Sequence, residues 1–210
     1  MTEGISESIG GFRGYGLRSS QIEIQTIPEL GGKIASLRCL ATGREWMWRP
    51  SGAWNLFRNK MGDSFPESTK TGADECCPTI APVRWRDLDL PDHGEIWTEP
   101  WSVDTPLMEK GKIKTAIDFP RSPLRLVRTL SLPTANRIQL NYRIENTGSA
   151  PFEFLWALHP MMTIEAGDRL LLPGRQEEYL IEAAMGWSPG ERGDRLSPVA
   201  GTDVCLEKLD

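Results

Sequence analysis

The sequence predicts an all-β fold, and three observations predict it. Short segments that alternate apolar and polar residues follow one another along the chain, the pattern of strands with one buried face. Brief linkers rich in Gly, Pro, Ser and Asn separate them, such as MEKG (108–111), PTAN (133–136) and NTGSAP (146–151). No long segment repeats apolar residues at i, i+3, i+4 and i+7 between a cap and a stop, so helices are not expected. Many short strands at close spacing imply a sandwich or a barrel.

Residues 1–20 read as a flexible lead-in, and residues 21–210 as one domain. GFRGYG (11–16) is glycine-rich, but no strand precedes it and it fits no phosphate cradle. QIEIQTIP (21–28) alternates as a half-buried strand, and KIASLRCLA (33–41) follows it across the turn ELGG. REWMWRP (44–50) reads as a third strand. Residues 51–80 are polar, long and irregular, the kind of loop that usually carries function. Strands are then expected at 97–106, 112–120, 124–133, 137–148 and 151–160. In the first of these Trp97 and Trp101 share parity, and Pro100 makes it an edge or bulged strand. The last residues, GTDVCLEKLD (201–210), begin like a further strand and leave an edge.

At 210 residues the chain can bury a sizeable core. A net charge of −5, from 24 basic and 29 acidic residues, argues against a nucleic-acid surface. Arg84, Arg86, Arg121, Arg125 and Arg128 are scattered and read as solvated. No apolar run reaches the roughly 18 residues of a membrane span. The first residues are acidic and polar, unlike a secretory signal, so a cytoplasmic setting is expected. Cys39, Cys76, Cys77 and Cys205 are then expected reduced and packed. The adjacent pair Cys76–Cys77 is poorly suited to a disulfide and lacks the C-x₂-C spacing of a zinc site. There is no H-x-H or H-x-x-x-H, so a His-rich metal centre is not expected, and no G-x-S-x-G or P-loop occurs.

Histidine is scarce and tryptophan abundant, with 2 of the former and 8 of the latter. Aromatic faces suit both a core and the C–H face of a sugar. His93 lies in PDHGEIWTEPW (91–101), beside Asp92, Glu95, Gly94, Trp97 and Trp101. It reads either as part of a solvated turn or as a site residue; Gly94 would let backbone approach a ligand. His159 closes the apolar run PFEFLWALHP (151–160), with Pro160 holding it extended. Alternation sends Phe154, Trp156 and Leu158 one way and Leu155, Ala157 and His159 the other. His159 reads equally as a hydrogen-bonded core histidine or as a functional one.

Four stretches in order resemble the aldose 1-epimerase family, the galactose-mutarotase-like proteins. They are IPELGGKIASLRCLATGREWMW (27–48), GADECCPTIAP (72–82), DHGEIWTEPW (92–101) and FLWALHPMMTIEAGDRLLLP (154–173). The resemblance runs from about residue 21 to 180, the span of one domain. It implies a large antiparallel β-sandwich with a sugar cleft on one face. It also implies anomer interconversion by general acid–base opening of a cyclic hemiacetal, without metal or cofactor. By the resemblance His159 is the acid that protonates the ring oxygen, and His93 hydrogen-bonds the same oxygen or a neighbouring hydroxyl. Trp97 becomes a wall of the site. Asp74 and Glu75, by position and not by motif, are expected to hold sugar hydroxyls.

The chain also departs from the family. The family's base is a glutamate on a later strand, and no carboxylate after His159 stands in a matching context. The sandwich is therefore expected to be incomplete at the C-terminus. Leu158 precedes His159 where the family has asparagine, and Pro160, Met161 and Met162 follow where it has an aromatic pair. Three classes of function stay open: an anomer-interconverting isomerase acting on a monosaccharide or modified sugar, a carbohydrate-binding sandwich without catalysis, and a structural domain. Nothing in the sequence fixes the oligomeric state.

Overall fold

The computed structural model describes residues 2–51 and 54–165, and strand backbone at 169–171, 179–180, 195–196 and 203–205. The chain falls into two compact units, Met1–Thr163 and Ile164–Asp210.

In the first unit the strands are β1 (Glu3–Ile9), β2 (Phe12–Arg18), β3 (Ile22–Ile27), β4 (Lys33–Cys39), β5 (Ala73–Cys76), β6 (Val83–Trp85), β7 (Leu88–Leu90), β8 (Ser102–Asp104), β9 (Lys112–Asp118), β10 (Leu124–Thr134), β11 (Arg137–Asn146) and β12 (Ala157–Pro160). One antiparallel sheet has the order β1-β2-β3-β4-β5-β12, a second β11-β10-β9-β8, and β6 and β7 pair as a ribbon. The second unit carries two antiparallel pairs. One joins β13 (Arg169–Leu171) to β16 (Asp203–Cys205), and the other joins β14 (Tyr179–Leu180) to β15 (Arg195–Leu196). The all-β, antiparallel sandwich architecture expected from the sequence is what the chain adopts. No helix among the described residues is long and apolar enough to cross a membrane.

Alternation builds the sandwich. In β10, Leu124, Leu126, Arg128, Leu130 and Leu132 are buried while the residues between them are half-exposed. Leu130 and Leu132 meet Ile113 of β9 and Leu17, Ile24, Ile34 and Ala73 of the six-stranded sheet in one core cluster. Burying each such leucine contributes about 1.5–3 kcal/mol. A second cluster joins Leu124 and Leu126 to Cys77, Ile96, Trp101 and Phe119.

Several segments differ from expectation. Within residues 1–20, the segment expected to be a flexible lead-in, β1 and β2 form a hairpin paired from Glu3–Arg18 to Ile9–Phe12. Glycine suited it to a turn, since Gly10 and Gly11 both have positive φ. Residues 44–50 make only isolated bridges, and 97–106 shrinks to β8, since Pro100 has no N–H for a ladder and a 3₁₀ turn begins at Thr105. Arg128 is not solvated: it is 1% exposed and lies between the sheets.

Candidate functional site

A tight turn holds His93. Its backbone φ is +58°, in the left-handed region that few non-glycine residues occupy. Two hydrogen bonds and one close backbone approach fix it there. The His93 N–H donates to Ile80 O and the Glu95 N–H to Cys77 O, at 3.1 and 2.8 Å. Gly94 has φ +77°, and a Cβ there would lie 2.1 Å from Cys77 O, so only glycine lets the turn dock on that strand end. Glu95 is fully buried and accepts from Arg121 N, Ser122 N and Ser122 Oγ, at 3.0, 3.2 and 2.8 Å. That carboxylate ties the turn to the β9–β10 connection. Its role is structural.

Register places His159. In the β5–β12 pairing, His159 faces Asp74, Leu158 faces Glu75 and Ala157 faces Cys76. Glu75 and Leu158 point inward, to the four-stranded sheet and to the core. Asp74, Cys76 and His159 therefore share the outer face of the six-stranded sheet.

On that face the two histidines, 66 residues apart in sequence, meet with His93 Nε2 3.1 Å from His159 Nδ1. Phe65 stacks on His93 with ring centroids 4.3 Å apart and planes 6° from parallel, and its ring is 4.7 Å from that of His159. Asp92 Oδ1 lies 3.0 Å from His93 Nδ1, close enough for ion pairing though not aligned as a hydrogen bond. The other oxygen, Oδ2, accepts the Phe65 N–H at 3.3 Å, and Asp92 O accepts from Trp97 Nε1 at 3.1 Å. Asp92 thus links the histidine, the ring that covers it and the tryptophan behind. A carboxylate beside Nδ1 favours a proton on that nitrogen, which leaves Nε2 of neutral His93 as an acceptor facing His159.

Burial lowers the pKa of His159 below the usual histidine value, and His93 lowers it further; Asp74 and Asp92 pull the other way, and Lys33 adds to the lowering. The Cys76 thiol, buried beside several carboxylates, is pushed up to about 12. Ligand atoms of Cys76, His93 and His159 all lie within 4.8 Å of one another.

No protein-family model matches the chain, and no curated protein matches it by sequence. Among solved structures it is similar to a "putative mutarotase (YeaD)" from Salmonella typhimurium, at 14% identity and TM-score 0.40, over 62% of this chain and 43% of that one. It is also similar to a TPR-domain containing protein from Parabacteroides distasonis, at 16% and 0.37, over 58% and 18%. A third, HI1317, gives 11% and 0.36, over 62% and 48%. The match spans less than half the length of each of these three structures, and likeness at this level assigns no activity.

Of the residues singled out from the sequence, His93 and His159 come together. Trp97 is 2% exposed and sits behind them, its ring centroid 5.9 Å from both Phe65 and His93. It buttresses the site, and Phe65 forms the covering surface. Asp74 shares the face of His159, but Lys33 Nζ lies 2.6 Å from both of its oxygens. Glu75 is on the opposite face and is fully buried. It accepts from Arg128 Nη1, Tyr142 Oη and Trp156 Nε1 at 3.0, 2.7 and 2.9 Å. Sequence reasoning missed Phe65, Asp92 and Cys76 as members of the site. The long irregular loop around Phe65 was a signal; the side chain within it was not distinguishable.

Proposed function

We propose that the chain is an aldose 1-epimerase-like isomerase that interconverts sugar anomers with His159 as general acid and the His93–Asp92 pair as proton acceptor. One observation carries the reading: two imidazoles from distant segments lie donor to acceptor at 3.1 Å, on an aromatic-covered face where both rings remain partly exposed. A cyclic hemiacetal needs such a pair. The O1–H proton passes to His93 Nε2, the C1–O5 bond breaks with its electrons going to O5, and O5 takes the proton of His159 imidazolium. Charge is conserved, because His93 becomes cationic beside Asp92 as His159 becomes neutral. Rotation about C1–C2 and reclosure give the other anomer. Reclosure runs the transfers in reverse, O5 giving its proton back to His159 and O1 taking the proton from His93, so both rings return to their starting state. Burial of His159 makes its imidazolium a stronger acid than free histidine. The order and spacing of the family-like stretches support a sugar as the substrate.

Polarimetry of freshly dissolved α-D-glucose and α-D-galactose tests this. The full chain should relax the rotation faster than buffer. His159→Ala should lose about 10²–10⁴-fold of that acceleration. His93→Ala should lose less, because Asp92 can act through a water. Equal, unimpaired rates in both variants would overturn the roles. Saturable sugar binding without acceleration would favour a carbohydrate-binding sandwich instead.

A further inference from the structure

We propose that Cys76, His93 and His159 form a binding site for a zinc-type divalent ion. The three donors come from β5, the turn at 91–95 and β12, so no spacing motif announces them. Their ligand atoms already lie within 4.8 Å of one another. In tetrahedral zinc, with bonds of about 2.0–2.3 Å, neighbouring nitrogens stand about 3.3 Å apart. The observed separation of His93 Nε2 and His159 Nδ1 is 3.1 Å. Two imidazoles and a thiolate are a borderline-to-soft donor set that selects zinc over magnesium or calcium.

The surroundings are those of a metal ligand set. Asp92 Oδ1 stands 3.0 Å from the far nitrogen of His93, where a carboxylate orients a metal-bound imidazole. Phe65, with its ring on both histidines, gives the ion an apolar cover. Binding requires three changes. The thiol proton leaves to solvent, the hydrogen on His159 Nδ1 moves to Nε2, and the rings turn their lone pairs from each other to the ion. Three protein ligands leave a fourth position open.

The ion and the proton transfer use the same ring nitrogens, so the two are mutually exclusive. If the acid–base reading holds, Zn²⁺ stops anomer interconversion. The metal site itself does not depend on that reading.

The test uses the full chain stripped of metal with a chelator, then titrated with Co²⁺ and displaced with Zn²⁺. One equivalent of Co²⁺ should give a thiolate-to-cobalt charge-transfer band that Zn²⁺ abolishes. Cys76→Ala should lose the band and bind Zn²⁺ at least ~100-fold more weakly, as expected when a direct ligand goes. Asp92→Asn should keep the band with affinity reduced by about 10–100-fold. Cys39→Ala, outside the cluster, should match wild type. If tryptophan fluorescence shows Cys76→Ala unfolded, His159→Gln replaces it and should weaken Zn²⁺ binding comparably while retaining a thiolate band at high Co²⁺. Absence of a one-equivalent band in wild type would overturn the proposal. So would a band that survives in folded Cys76→Ala, or one lost in Cys39→Ala. A chain that binds Co²⁺ through Cys76 yet never speeds sugar rotation would sink the acid–base reading and leave this one standing.

Discussion

Asp74 and Glu75 are neighbours in one strand, both buried and each paired to a buried cation, but they face opposite sides of the sheet. Asp74 faces outward with Cys76 and His159, beside the paired imidazoles. Glu75 faces inward, where three side-chain donors surround it and water does not reach. Arg128 closes the inner network: it donates to Glu75, to Thr26 Oγ1 at 2.8 Å and to Gly32 O at 2.6 Å, and lies 4.9 Å over the Trp101 ring. Both sides are built from polar groups, but their satisfaction differs. The buried charges, Glu75 with Arg128 inside and Asp74 with Lys33 outside, are fully partnered, which is what a buried charge must have to be tolerated. The outer imidazoles partner each other and stay partly exposed, so a ligand can take over their hydrogen bond. Polar density alone does not mark a site; an exchangeable partner does.

The comparison breaks first at Arg128. Arg128→Ala leaves Glu75 buried without its counter-charge and should cost about 3–5 kcal/mol of unfolding free energy in urea. The double variant Arg128→Met with Glu75→Gln should recover most of that loss, and a double variant as unstable as the single one would mean the network is not a charge pair. Gly94→Ala comes next, since its methyl meets Cys77 O and its φ is +77°. It should cost about 1–3 kcal/mol and also separate the histidines, so stability and sugar turnover fall together. On the proposed mechanism His159→Ala should change the urea midpoint little while lowering anomer interconversion by about 10²–10⁴-fold, the opposite of the Arg128 result. The smallest effect concerns Glu23, a buried carboxylate of the outer face. Burial alone would raise its pKa, but the hydrogen bond from Arg18 and the charge of Arg38 outweigh it and hold the pKa below the usual 4.5. A lowered folded pKa stabilises above 4.5 and loses that contribution as pH falls through the folded value. Thermal melts between about pH 5 and pH 2 should therefore drop more steeply in wild type than in Glu23→Gln.

Much of the fold was legible because alternation is a local signal. β3, β4, β9 and β11 fall inside the segments that the pattern marks out, and β10 runs one residue past its segment, to Thr134. The same alternation held the position of Arg128, which shares parity with Leu124, Leu126, Leu130 and Leu132. Its charge suggested solvent, yet parity puts it between the sheets, and parity is right because Glu75 waits there. The parity of Leu158 and His159 correctly separated the inner residue from the outer one. The β1–β2 hairpin was hidden because glycines dilute its pattern. Phe65 and Cys76 were hidden for another reason: their relation to the histidines is set by long-range register and by one docked turn, whereas Asp92 stands next to His93 in sequence and lacked only a role. Gly31 and Gly32 show how such register is enforced. A Cβ at either would strike Trp97 O at 2.1 Å or the Trp101 ring at 2.7 Å, so the two glycines seat both tryptophans.

With only two histidines in 210 residues, nitrogen NMR of the imidazoles reads the central claim directly. In metal-free protein at saturating galactose, a cross-hydrogen-bond coupling between His93 Nε2 and His159 Nδ1, present in the free chain, should disappear as both nitrogens shift. It should be retained without sugar in Glu75→Gln, provided that variant stays folded. Two rings that titrate independently, show no coupling and ignore the sugar would contradict the account.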